Sequence, residues 1–192
     1  MVIRAVIFDF FGVVVGRGFN ETYRYAGGDP IKDKQFLSDL LDRTSLGLIT
    51  PADFRRAITK KIGISLERYE KAMQEAERPN DELLDYIERL KHNYKIAVLS
   101  NANLGSLERK LGHDRLNKYF DERIISAEVG MIKPTAEIYL MTSKKLGVLP
   151  EECIFIDDKK THCEGAQAVG MQAVWYQNFP QMKNELETLL KP

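Results

Sequence analysis

Short runs of β-branched and aromatic residues, separated by helical patterns, constrain this sequence more than any other feature. Residues 2–10 (VIRAVIFDF), 95–99 (KIAVL), 153–156 (CIFI) and 173–176 (AVWY) are apolar almost throughout, and 123–126 is a weaker run between them. A strand apolar at nearly every position is one covered on both faces, as in a parallel sheet. Helical patterns lie between the runs. Residues 135–146 carry Ile138, Tyr139, Thr142 and Leu146 on one stripe and stop at Gly147; 161–169 stop at Gly170, and 179–190 follow the last run. Alternation of this kind predicts an α/β fold, a three-layer doubly wound parallel sheet with helices on both faces.

The stretch between the first and second runs breaks that rhythm, because it contains no strand pattern. Phe36, Leu37, Leu40 and Leu41 make one helical stripe. Thr50-Pro51-Ala52-Asp53 reads as a helix start, with Thr50 as N-cap, Pro51 at the first helical position and Asp53 reaching back. Phe54, Ala57, Ile58 and Ile62 form its apolar face and Gly63 ends it. Ser65 opens a helix bearing Tyr69 and Met73, and Asn80 one bearing Leu83, Leu84, Ile87 and Leu90. The expected organisation is an α/β core of residues 1–15 and 86–192, with a small helical cap, 16–85, inserted after the first strand. A length of 192 residues suits one domain with such an insertion.

Composition narrows the function only by exclusion. With 44% hydrophobic and 29% charged residues the chain reads as soluble and globular. Lys+Arg (28) cancels Asp+Glu (28), leaving no electrostatic footprint for nucleic acid or an anionic membrane. Cys153 and Cys163 match no common zinc spacing and read as reduced thiols. Arg4 and Asp9 interrupt the apolar N-terminal stretch, which lacks the marks of a signal peptide, and no window reaches the ~18 apolar residues of a spanning helix. A cytoplasmic protein is expected, monomeric by default with a dimer possible.

In an open parallel sheet, ligands bind beyond the C-terminal ends of the strands. Those ends carry Asp9, Ser100-Asn101 and Asp157-Asp158, while Lys133 sits in the loop Gly130-Met131-Ile132-Lys133-Pro134 before a helix. Three clustered carboxylates repel one another unless a cation sits among them, and Mg2+ prefers oxygen ligands of this type. A phosphate above them needs donors, which Ser100, Lys133 and the backbone of the Phe11-Gly12 turn would supply. Singly, each residue has a plainer reading: a strand-end Asp as a cap, Ser100-Asn101 as a loop opening, Lys133 as a solvated lysine. Their order at successive strand ends favours a site.

These residues resemble the haloacid dehalogenase superfamily, and within it the phosphatase-like members with a helical cap on a Rossmann-like core. Ile7-Phe8-Asp9-Phe10-Phe11-Gly12-Val13 is similar to the nucleophile motif, Leu99-Ser100-Asn101 to the second, the Gly130–Pro134 loop to the third, and Phe155-Ile156-Asp157-Asp158 to the fourth. Gly47–Phe54 is similar to a recurring cap segment. The resemblance implies a phosphatase of small phosphorylated metabolites in which Asp9 forms an aspartyl-phosphate. It implies Asp9, Ser100 and Lys133 as catalytic residues and Phe11, Gly12 and Asn101 as substrate-binding ones. Asp9, the Phe11 carbonyl, Asp157 and Asp158 would hold Mg2+.

The family's usual second Asp, two residues after the nucleophile, is Phe11 here. Loss of a general acid–base is typically worth ~10²–10⁴ in rate, so good leaving groups are expected: acyl, aryl or anomeric sugar phosphates. His162 stands where relatives carry Asn, and reads either as a substitute proton carrier or as an outer hydrogen-bond partner. Phe11 also keeps two alternatives open, a 2-haloacid dehalogenase and a catalytically weak phosphometabolite- or partner-binding module. His92 and His113 read as surface residues, Trp175 as core and Gly27–Pro30 as a cap turn. Arg17, Tyr23 and Arg24 read equally as cleft-lining residues or solvated surface.

Overall fold

The computed structural model describes residues 2–16 and 19–191; Arg17, expected near the cleft, lies outside them. Five parallel strands form one sheet in the order β3-β2-β1-β4-β5 among the described residues: β1 (Ala5–Phe8), β2 (Lys95–Ser100), β3 (Glu122–Ile125), β4 (Cys153–Asp157) and β5 (Gln172–Trp175). The expected α/β class and the helical insertion after the first strand are both present. β1 is central, with Phe8 level with Val98 of β2 and with Ile156 of β4. Through α6 (Ser106–Leu111) and α7 (His113–Tyr119) the chain builds outward to β3 on one side of β1, and then to β5 on the other. The order therefore reverses beside β1, the kind of switch point at which such sheets leave a crevice.

Alternation along β1 divides the core into two layers. Val6 and Phe8 face one side with Ile96, Val98, Ile154 and Ile156, where α5 (Asp81–Leu90) buries Leu83, Leu84, Ile87 and Leu90 and α11 (Phe179–Leu189) buries Met182 and Leu186. Ala5 and Ile7 face the other, under Ile138, Tyr139 and Leu146 of α9 (Ala136–Leu146) and Ala166 of α10 (Lys160–Ala168). Each fully buried Leu, Ile or Phe contributes about 1.5–3 kcal/mol of transfer free energy, so the sheet is held rigidly from both faces.

The inserted helices have a third apolar cluster of their own. Helices α1 (Phe19–Tyr25), α2 (Lys34–Ser45), α3 (Pro51–Ile62) and α4 (Leu66–Ala76) bury Tyr23, Leu37, Leu40, Phe54, Ile58 and Tyr69 together. Thr50 Oγ1 accepts from the Asp53 N–H at 3.1 Å and Gly63 ends α3 at φ 77°, as read from sequence. The Asp53 carboxylate reaches back to the Thr50 hydroxyl at 2.7 Å. Two adjacent backbone segments join the insertion to the sheet: Gly16 N–H donates to the Arg78 carbonyl and Asn80 N–H to the Val14 carbonyl, both at 2.9 Å.

Two sequence expectations, for Tyr23 and Trp175, need correction, and Arg24 falls to the second of its two readings, solvated surface. Tyr23 lines no cleft and is not solvated: it is fully buried within the insertion, its hydroxyl donating to Asp33 at 2.8 Å. Arg24 is exposed and pairs with Glu21. Trp175 is exposed rather than core, because it sits at the outer end of edge strand β5.

Candidate active site

Strand register decides which side chains meet. Asp9 follows β1, Ser100 ends β2 and Asp157 ends β4, so three neighbouring strands deliver them to one rim. Just beyond Asp9 the chain turns back on itself, with Val15 N–H bonded to the Phe10 carbonyl and Gly12 N–H to the Val15 carbonyl. Gly12 holds φ 100°, and a Cβ there would lie 2.4 Å from Asp158 Oδ2. Only glycine lets the turn approach the acidic pair this closely.

Lys133 arrives from the loop between α8 (Ser126–Val129) and α9, and its side chain is almost wholly buried. Its ammonium donates to Asp9 Oδ1 at 2.7 Å, Asp157 Oδ2 at 2.6 Å and the Leu99 carbonyl at 2.9 Å. A lysine has three N–H donors, and all three are engaged. The loop itself is pressed against α10, where a Cβ on Gly165 would meet the Pro134 carbonyl at 2.8 Å.

Asp157 is the hub of the site. Its Oδ2 also meets His162 Nδ1 at 2.9 Å, and its Oδ1 accepts the Lys159 N–H at 2.8 Å. An ionised carboxylate only accepts, so the hydrogen of that His162 contact sits on Nδ1. Asp158 is different. Its Oδ1 is buried with no hydrogen-bond partner among the described residues, and so is Ser100 Oγ. Trp175 Nε1–H donates to the Asp158 carbonyl at 2.9 Å, a contact that sequence pattern gave no reason to expect.

The electrostatics ask for a cation. Ligand oxygens of Asp9, Asp157 and Asp158 all lie within 4.8 Å of one another, with one ammonium among them. Burial, followed by the charges of Asp157 and Asp158, outweighs Lys133 and pushes the Asp9 carboxyl up to about 7. Burial and Asp157 raise Asp158 to about 6. Burial works against ionised Asp157 too, but Lys133 and His162 together hold it below the usual carboxylate range. Burial likewise opposes the Lys133 ammonium, yet Asp157 and Asp9 raise its pKa above the ordinary lysine value. Two carboxyls that favour protonation, and an orphaned buried carboxylate oxygen, fit the all-oxygen donor set of a hard divalent ion.

The other predicted residues fall near this centre in different ways. Phe11 is half-buried with its ring edge-on to Phe10 at 5.0 Å. Asn101 directs both ends of its side-chain amide to the backbone of Lys133. His92 and His113 are exposed, as expected, and Cys153 and Cys163 are buried free thiols.

A family model for haloacid dehalogenase-like hydrolases matches residues 6–176. The chain belongs to that family. Among curated haloacid dehalogenase-like relatives, D-ribitol-5-phosphate phosphatase of Bacteroides thetaiotaomicron is 26% identical, covering 98% of this chain and 98% of that protein. A phosphorylated carbohydrates phosphatase of Thermotoga maritima is 27% identical over 89% of this chain and 83% of its own. A haloacid dehalogenase family enzyme of B. thetaiotaomicron, solved in complex with magnesium and inorganic phosphate, superposes with a TM-score of 0.72 at 26% identity, covering 91% and 94% of the two chains. Phosphatase homologues of the haloacid dehalogenase family thus span nearly the whole sequence. No helix among the described residues is long and apolar enough to cross a membrane.

Proposed function

We propose that the protein is a Mg2+-dependent phosphatase of small phosphorylated metabolites, with Asp9 as nucleophile. The observation that carries this reading is the cluster of Asp9, Asp157 and Asp158, the first two buried and bound to Lys133 and the third half-buried with Oδ1 unpartnered, at the same strand-end rim as the unpartnered Ser100 hydroxyl. Asp9 Oδ1 is held by Lys133, which opposes the effect of burial on the carboxylate and orients it for in-line attack. Its attack on phosphorus expels the alcohol and leaves an aspartyl-phosphate; water then attacks that phosphorus and restores the carboxylate. Ser100 Oγ–H is the donor free to bind a phosphoryl oxygen, and Gly12 gives the Phe11 turn its close approach. Lys133 acts through its charge and its hold on Asp9, since its three donors are already engaged.

Asp9, Asp157, Asp158 and the Phe11 carbonyl would hold Mg2+, which neutralises phosphate and carboxylate charge when bound. Phe11 has no proton to give the departing alcohol, which supports a preference for acyl, aryl or anomeric sugar phosphates. Helices α1–α4 act as the cap that meets the leaving group and excludes water.

Phe11 also favours a second reading, a 2-haloacid dehalogenase, whose halide leaves without a proton. Against it stand the three carboxylates, which repel an anionic haloacid. A panel of phosphorylated metabolites, assayed with and without Mg2+ beside Asp9→Asn, tests the reading. Mg2+-dependent phosphate release lost in the variant supports it; halide release from 2-haloacids without metal supports the rival.

A further inference from the structure

Asn101 lies in the loop after β2, 32 residues before Lys133. Its Nδ2 donates to the Lys133 carbonyl at 2.9 Å and its Oδ1 accepts the Lys133 N–H at 2.8 Å. Both polar ends of the side chain are thus tied to the two backbone groups of one residue. Pairing of this kind fixes the peptide in position and in rotation, which a single bond does not do.

Lys133 needs such fixing because its side chain must satisfy three acceptors on three different segments: Asp9 after β1, Leu99 in β2 and Asp157 in β4. The loop carrying it contains no regular structure between α8 and α9. Gly165 of α10 approaches the neighbouring Pro134 closely. The Asn101 amide is the polar tie between the sheet and the Lys133 backbone.

We propose that Asn101 is a positioning residue, its side chain a clamp on the Lys133 backbone that sets the ammonium against the nucleophile. The proposal deepens the phosphatase reading and rests on it for its kinetic consequence. A clamp acts on the chemical step rather than on ground-state binding, so kcat falls and KM is spared. Misplacement of a catalytic group by about 1 Å costs about 10²-fold in rate.

The test is Asn101→Ala in the full-length protein, assayed at saturating Mg2+ and by amide hydrogen exchange without substrate. Expected are a kcat loss approaching about 10²-fold, a KM within about threefold of wild type, and faster exchange of the Lys133 amide. In a Lys133→Ala background the same substitution changes residual turnover by less than about threefold, because partners acting as one unit are not additive. Asn101→Asp, which keeps the acceptor and loses the donor, gives an intermediate loss and serves if the alanine variant does not fold. A raised KM with kcat intact, an unchanged Lys133 amide, or a full penalty without Lys133 overturns the clamp. A wild-type protein without phosphatase activity would instead remove the functional reading, and the exchange measurement would still decide the clamp.

Discussion

His162 Nδ1 lies 2.9 Å from Asp157 Oδ2, on the same oxygen that Lys133 holds at 2.6 Å. The histidine is buried and its Nδ1–H is committed to a carboxylate, and we read it as an outer partner of the acidic pair. His162→Asn, which keeps an N–H donor, is expected to turn over within about threefold of wild type. His162→Leu leaves a buried carboxylate one donor short, a loss of about 1–3 kcal/mol, read as about 2–4 °C of melting temperature per kcal/mol. Abolished turnover in the asparagine variant would assign His162 the proton-carrying role instead.

Asp9 and Asp158 are raised to about 7 and about 6, above the usual carboxylate value. The sign follows directly. Between about pH 4 and 7 these two carboxyls bind more protons in the metal-free folded protein than in the unfolded chain, so their contribution to stability falls as pH rises through that window. A divalent ion relieves the repulsion only where these carboxyls have released their protons. Mg2+ is therefore expected to raise the melting temperature more at pH 8 than at pH 5, as differential scanning fluorimetry would record. Equal shifts at both pH values would contradict the assignment.

Phe11 leaves departing alcohols unprotonated. Across a series of aryl phosphates, kcat/KM is expected to fall steeply as leaving-group pKa rises. Phe11→Asp should flatten that dependence and raise turnover of alkyl phosphates by about 10²-fold, the lower range for general acid catalysis. The half-buried position has room for the carboxylate. A shallow wild-type dependence would count against this part of the account.

Gly12→Ala would place a methyl 2.4 Å from Asp158 Oδ2 at a backbone φ of 100°. The fold should survive, because the strain is local to the turn. Mg2+ affinity by calorimetry is expected to drop about 10–100-fold, the usual effect of disturbing the support of a metal ligand. Unchanged affinity would separate Asp158 from the metal.

Much of this architecture was legible because it depends on local signals. Thr50, Gly63, Ser65, Asn80 and Gly147 mark helix ends through capping chemistry that needs no tertiary partner. Helix α1, seven residues, and helix α8, four residues, were not legible, since fewer than two turns carry little periodicity and draw their stability from packing. The first strand is shorter than its apolar run, because the chain turns back on itself beyond Asp9, where Val15 N–H bonds the Phe10 carbonyl. Asp9, Ser100 and the acidic pair could be picked out by their place at strand ends, and Lys133 by its loop just before a helix. The partners of Asn101, the Asp157 oxygen shared by Lys133 and His162, and the Trp175 hold on Asp158 could not, because each joins segments that only the folded sheet brings together.

Asp9 as a covalent nucleophile is the centre of the account. Acid quenching of the wild-type protein during turnover of an acyl or aryl phosphate with Mg2+, followed by peptide mass mapping, is expected to find one phosphoryl group on Asp9, absent in Asp9→Asn and absent with chelator. Phosphate release at full rate with no label on Asp9, or undiminished turnover by Asp9→Asn, would contradict it.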